Sequence, residues 1–257
     1  MRDVYKRQGI DFILAVGGGS VLDSAKGIGM GVATGRDPWE FAATGTAPDQ
    51  TLPVGSVLTL SASGSETSNS CVLTNEELKE KRGITSQTNR PRISFLNPEN
   101  TFTVSKFQTG CGIVDIMMHT LERYLTAGGE TDITDRIAEG LLIATRDAGR
   151  RAIAAPNDYE ARATLMWAGS ISHNNLTECG RLRLFPVHKL EHELSAFRDE
   201  IAHGAGPVSY THLNWPHTTS KPRSAPSATR PRPRSRSAAG RTRPRSKTSN
   251  PHPTPSN

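Results

Sequence analysis

The segment CGIVDIMMHTLERY, residues 111–124, sets a carboxylate, Asp115, and an imidazole, His119, four positions apart. On a helix that spacing puts both on one face, where they can address a single ion. A second segment, VHKLEHELSAF at 187–197, spaces His188 and His192 in the same way, and His203 follows in IAHGAG. Each feature also has a bland reading. An Asp–His pair at i, i+4 can be a helix-surface interaction, His192 between Glu191 and Glu193 can be a surface residue, and His203 before Gly204 can mark a helix terminus. Taken together they favour a metal site, because Asp115 and His119 lie in an otherwise apolar stretch where an unpaired buried charge is costly. One Asp and three His, without thiolates, suit Fe2+ or Zn2+. Such an ion acts as a Lewis acid on an alcohol or carbonyl oxygen, with room for that oxygen if its coordination expands.

A different chemistry is written in GGGSVLDSAK at 17–26. The triplet follows an apolar run and precedes a helical stretch, an order that aims free backbone N–H groups and the positive end of a helix at an anion. Glycine lets the backbone approach a pyrophosphate, and Ser20 can cap the helix and donate to a phosphate oxygen. The motif is not the G-x-G-x-x-G fingerprint of dinucleotide-binding folds. A tight turn is the plain alternative for the triplet, a first-turn acid for Asp23 and a solvated side chain for Lys26.

These groups need elements to hold them. Residues 10–16 read as a buried parallel strand, followed by a helix opening at Ser20. Residues 51–60 read as a second strand entering the turn SASGSE at 61–66, and 70–74 and 92–96 as further short strands. Beyond Asn97-Pro98 the periodicity is helical, over 110–127, 131–154, 158–175 and 187–197. The expected fold is an α/β half, Rossmann-like with a parallel sheet, over residues 9–100, followed by an all-α metal-binding half over 101–206. No internal repeat is visible.

Composition bounds the rest. The formal charge of +6 is carried by the last 44 residues, 214–257, which hold ten Lys or Arg and no acid; what precedes them has 21 basic and 25 acidic residues, a net of −4. The Pro-, Arg- and Ser-rich tail cannot bury enough apolar surface to order itself. Without aromatic residues interleaved among its arginines it does not read as a nucleic-acid platform. MRDVYKRQ at 1–8 and PVSYTHL at 207–213 resemble translated sequencing-adapter DNA, so 1–8 and 207–257 are expected to be foreign to the fold. Three widely spaced cysteines, Cys71, Cys111 and Cys179, fit a reducing cytoplasm better than a disulfide framework. No apolar run reaches the roughly 18 residues of a membrane span.

The order GGGS-x2-D-x2-K, T-x3-SGSE, D-x3-H, H-x3-H and a downstream H-G resembles the iron-containing (group III) alcohol dehydrogenases, and within them the butanol-dehydrogenase branch. The likeness covers about 198 residues, 9–206. It implies that Gly18, Gly19, Ser20 and Asp23 hold the pyrophosphate of NAD or NADP and its surroundings, with Thr59, Ser63 and Lys81 as further cofactor contacts. It implies that Asp115, His119, His188 and His203 are the metal ligands and that His192 stands beside the nicotinamide, relaying a proton or shaping the site. The implied chemistry is reversible hydride transfer between a primary alcohol or aldehyde and the nicotinamide, in a homo-oligomer. A glycerol-dehydrogenase- or dehydroquinate-synthase-like enzyme of the same architecture is the alternative, against which GIVDIMMH and HKLEHELS speak.

The chain also departs from that pattern. The resemblance implies about two strand–helix units ahead of the loop and more helices after the metal segment, so both halves are expected to be incomplete. The chain by itself is then expected to be poorly soluble and inactive. The stretch from His188 to His203 is one residue longer than the family spacing. Within a helix the extra residue would turn His203 by about 100°; a loop can absorb it.

Overall fold

The computed structural model describes residues 9–126, 129–198, 201 and 203–206. The segments read as adapter-derived and as a basic tail lie outside the described residues. The apolar run ILAVG forms strand β1, Ile13–Gly17, and its parallel partner β2, Val54–Leu58, lies centrally between β1 and β5, Ile93–Phe95. Ile13 stands opposite Val54 and Gly17 opposite Leu58, while Gly55 pairs with Ile93. The crossover from β1 to β2 is made by helices α1, Gly19–Thr34, and α2, Pro38–Thr44. Asp37 caps α2 by accepting the Trp39 N–H, and Pro38 fills its first position, where a missing N–H costs nothing.

Beneath the sheet, Ala15, Val54 and Leu58 pack against Leu22 and Ala25 of α1. The other face of β1 is not buried as the apolar run suggests: Leu14 is 54% and Val16 57% exposed, and Ile93 and Phe95 of β5 are exposed as well. The reason is topological, since among the described residues β1 has a strand neighbour on one side only and helices on one face only. Residues 70–74 do form a strand, but not in this sheet. β3, Ser70–Asn75, pairs antiparallel with β4, Glu80–Thr85, in a separate hairpin whose Cys71 and Ile84 close over Met30 and Phe41.

The helical part follows the sequence periodicity closely. Helix α3, Lys106–Tyr124, starts one turn earlier than expected because Ser105 accepts the Gln108 N–H at 3.2 Å. Helices α4, Asp132–Ala154, and α5, Tyr159–His173, pack on it through Ala148, Ala152, Ala161 and Leu165. Met166 of α5 also joins the core beneath the sheet, tying the helices to the strands. The last long element is α6, Pro186–Phe197. Among the described residues no helix is long and apolar enough to cross a membrane.

Candidate active site

Two loops leave the carboxyl ends of adjacent parallel strands, the place where open α/β sheets bind ligands. The first is Gly17-Gly18-Gly19 after β1; the second is residues 59–66 after β2. The Thr59 N–H donates to the Gly17 carbonyl at 3.1 Å, so the two loops run side by side. Gly19 faces Ser63 so closely that a Cβ there would overlap the Ser63 hydroxyl unless that side chain turned away. Gly18, Gly19, Ser20, Thr59 and Ser63 are thereby gathered at one rim. Ser20 does not cap α1, as the sequence suggests it could. The N-cap is Gly18, no side chain caps the helix, and Ser20 lies exposed in its first turn.

Asp23 and Lys26 turn inward instead. The Asp23 carboxylate accepts from the Ser65 hydroxyl at 2.6 Å and from the Val72 N–H at 3.0 Å. Lys26 is not solvated but 0% exposed. Its Nζ donates to the carbonyls of Ser65, Ser68 and Ser70 and to the Ser65 hydroxyl, at 2.7–3.2 Å. Burial lowers its pKa, against the pull of the nearby Asp23. Glu66, buried in the same loop, accepts the Ser170 hydroxyl of α5 at 2.6 Å.

The metal-type residues meet about 3.4–3.8 Å from one oxygen. Asp115 and His119 project from the buried stripe of α3, with His119 Nδ1 3.8 Å from Asp115 Oδ1. Across from them, His188 of α6 places Nε2 3.4 Å from that oxygen, and His203, beyond the end of α6, places its own Nε2 3.6 Å away. The donor atoms of Asp115, His119 and His188 all lie within 4.8 Å of one another. His203 also closes a second group with Glu191 and His192. The residue added between His188 and His203 therefore does not swing His203 off Asp115. Gly204 helps to bring it in, because it sits against the Cys111 carbonyl where a Cβ would overlap.

The electrostatics of the cluster are set by burial and by its carboxylates. Burial acts to raise the Asp115 carboxyl, but His203 and His188 outweigh it and hold the group below the usual carboxylate value. Burial, helped by His173 and His188, keeps the His119 imidazole neutral, its pKa well below normal. Its Nδ1 is buried without a hydrogen-bond partner in the described structure, the condition of a lone pair meant for an ion. Burial also opposes charge on His188, yet Asp115 and Glu122 on either side of the ring raise its pKa to about 9. His192, half-buried beside His203, is pushed down to about 3 by burial and by the nearby Lys81 and His203. The Lys81 side chain is directed to this end of the site. Its Nζ donates to the Ser195 hydroxyl at 3.0 Å and stands 3.5 Å from His203 and 3.8 Å from Glu191.

Three residues not singled out in the sequence belong here. Glu122 lies seven residues after Asp115 and three after His119, the next place on the same helix face, and could have been found by extending that period. Glu191 pairs with His203. His173, the last residue of α5, meets His119 edge-on at 4.3 Å between ring centroids; no spacing connects it to the other histidines.

Comparison with known proteins bears on the same residues. Residues 1–98 match the family described as iron-containing alcohol dehydrogenase, and residues 109–217 match the C-terminal part of the Fe-containing alcohol dehydrogenase family. The chain is 41% identical over 213 residues to NADH-dependent butanol dehydrogenase A of Clostridium acetobutylicum, across 83% of this chain and 54% of the relative. It is 37% identical over 196 residues to the NADPH-dependent aldehyde reductase YqhD of Escherichia coli, across 75% and 51%. The crystal structure of an NADH-dependent butanol dehydrogenase A from Thermotoga maritima superposes with a TM-score of 0.77 at 40% identity, covering 80% of this chain and 51% of that one. The chain spans about half the length of the curated relatives it matches. The two family matches divide near residue 100, where strands give way to helices, and the relatives share both parts with this sequence. On that agreement the chain belongs to the iron-containing alcohol dehydrogenase family.

Proposed function

We propose that the whole protein is a metal-dependent oxidoreductase that moves a hydride between NAD or NADP and a primary alcohol or aldehyde, in the manner of the butanol dehydrogenases. The observation that carries this reading is the convergence of three imidazole nitrogens, from His119, His188 and His203, on one buried carboxylate oxygen of Asp115. These four side chains would hold Fe2+ or Zn2+, a donor set of one hard anion and three borderline nitrogens. When bound, the ion supplies a Lewis acid that stabilises negative charge developing on the substrate oxygen.

The chain's own residues do the rest. Gly18, Gly19 and Ser20 present backbone N–H groups and a hydroxyl at the start of α1, where an anionic pyrophosphate is favoured. Thr59 and Ser63 stand on the adjoining loop to orient the cofactor, and Asp23 fixes that loop from beneath through Ser65. Lys81 stands across the cleft as a cation for the cofactor's polar groups. His192 remains neutral and shapes the nicotinamide end of the site. The nucleotide-binding part is assigned to residues 9–100 and the metal-binding part to 101–206, with 1–8 and 207–257 outside the functional unit. The substrate is a small alcohol or aldehyde, the compartment the cytoplasm, and the assembly a homo-oligomer by analogy with its family.

For the whole protein the test is to mix it anaerobically with Fe2+ or Zn2+, NADH or NADPH and a short aldehyde. Loss of reduced-cofactor absorbance that disappears in Asp115→Asn is expected. Absence of turnover with either metal and either cofactor refutes the proposal.

A further inference from the structure

An imidazole that gives one nitrogen to an ion keeps a second nitrogen, and in a buried site that second atom needs a partner. His188 Nδ1 is paired with the Glu122 carboxylate of α3, and His203 Nδ1 with the Glu191 carboxylate of α6. Both acids are buried, Glu191 fully so. In each case the opposite ring nitrogen, Nε2, faces the same Asp115 oxygen, at 3.4 and 3.6 Å. His119 lacks such a carboxylate and is instead held between rings, with His173 and His188 each 4.3 Å away.

Resting on the metal reading above, we propose that Glu122 and Glu191 are the positioning residues of the centre. Glu122 accepts the Nδ1–H of His188, and Glu191 stands against Nδ1 of His203 as its ion-pair partner; each carboxylate keeps the proton on Nδ1 and aims the Nε2 lone pair at the ion. A carboxylate behind the ring also makes the imidazole a stronger donor. Glu122 has a second duty. It accepts the backbone N–H groups of Val187 and His188 at the start of α6, where no side chain of α6 itself serves as a cap. One buried acid on α3 thus seats the distal helix and sets the ring on it.

These duties separate experimentally. In Glu122→Gln the amide oxygen can still accept the Val187 N–H at the start of α6, but the negative charge behind His188 is gone. Glu191→Gln does the same for His203. Visible absorption titration of the metal-free 257-residue protein with Co2+ reads affinity and ligand geometry without turnover, and thermal melting of the metal-free protein reads the fold. Each Gln variant is expected to bind Co2+ about tenfold more weakly with a changed visible spectrum, its metal-free melting temperature staying near that of the unsubstituted protein; Glu122→Ala is expected to lose about a hundredfold and to melt lower. Gln variants that bind Co2+ within about twofold of the unsubstituted protein, with the same spectrum, overturn the positioning role alone. If the unsubstituted protein binds no Co2+, both this proposal and the metal reading fall.

Discussion

Replacing Lys26 by methionine keeps the length and apolar stem of the side chain and removes only its ammonium group. That group lies 2.8 Å from both oxygens of Ser65, 3.2 Å from the Ser68 carbonyl and 2.7 Å from the Ser70 carbonyl, with Asp23 Oδ1 at 3.7 Å. All three of its protons are therefore engaged, in a position with no exposure to water. Each buried carbonyl left without a donor costs about 1–3 kcal/mol. Removing the desolvated ammonium, which burial already penalises, returns several kcal/mol. The net loss expected when one member of a buried charged set is deleted is about 3–5 kcal/mol. At about 2–4 °C per kcal/mol for a folded unit of this size, Lys26→Met should lower the melting temperature by roughly 6–20 °C. Dilute protein followed by circular dichroism suffices for the measurement. Adding Asp23→Asn should recover part of the loss, a coupling of about 0.5–3 kcal/mol. A single variant that melts within about 2 °C of the unsubstituted chain refutes the claim that Lys26 ties the 61–70 loop to α1.

Three further outcomes follow from the same geometry. Burial raises the Glu66 carboxyl above its ordinary value of 4.5, the Ser170 hydrogen bond working against it. The folded state therefore favours the protonated form, and that contribution is complete below 4.5 and lost as pH rises through the folded value. Melting temperatures of Glu66→Gln and the unsubstituted protein should diverge in favour of Gln as pH is raised; a difference that stays flat across that window refutes this. Ser105→Ala removes the cap of α3 and should cost about 0.5–2 kcal/mol, with faster hydrogen exchange at the Gln108 amide; unchanged exchange there counts against it. Gly204→Ala drives a methyl group into the Cys111 carbonyl, so His203 should be displaced and Co2+ affinity should fall about tenfold. Titration showing no weakening would mean that His203 is not a ligand.

The helices around the candidate metal residues were readable because long amphipathic periods are hard to mimic, and the Asp115–His119 and His188–His192 spacings sit on two of them. Two elements were harder. α2 is a short helix announced only by Asp37-Pro38, a cap and a first-turn proline. β4, EKRGIT, contains one buried apolar residue, Ile84, so no alternation betrays it. The earlier start of α3 was legible in Ser105 and Gln108, which have the spacing of a capping box. The role of Lys26 was not legible at all. A lysine three residues after an acid on a helix looks like a surface pair, and only the folding of the 61–70 loop over it reveals the burial. His203 illustrates the converse, since the longer spacing from His188 put its reach in question, yet its Nε2 stands 3.6 Å from Asp115 Oδ1.

The candidate metal residues on α3 are made long before their partners: Asp115 precedes His188 by 73 positions. On a growing polypeptide the polar stripe of that helix has nothing opposite it until the distal segment leaves the ribosome. A chain interrupted before residue 188 would carry an acid, Asp115, and an imidazole, His119, facing an open groove, and would resist closing for the same reason that the finished protein closes well. If these residues hold an ion, the distal helix would be fastened last, and protease cleavage of the metal-free protein should begin at α6.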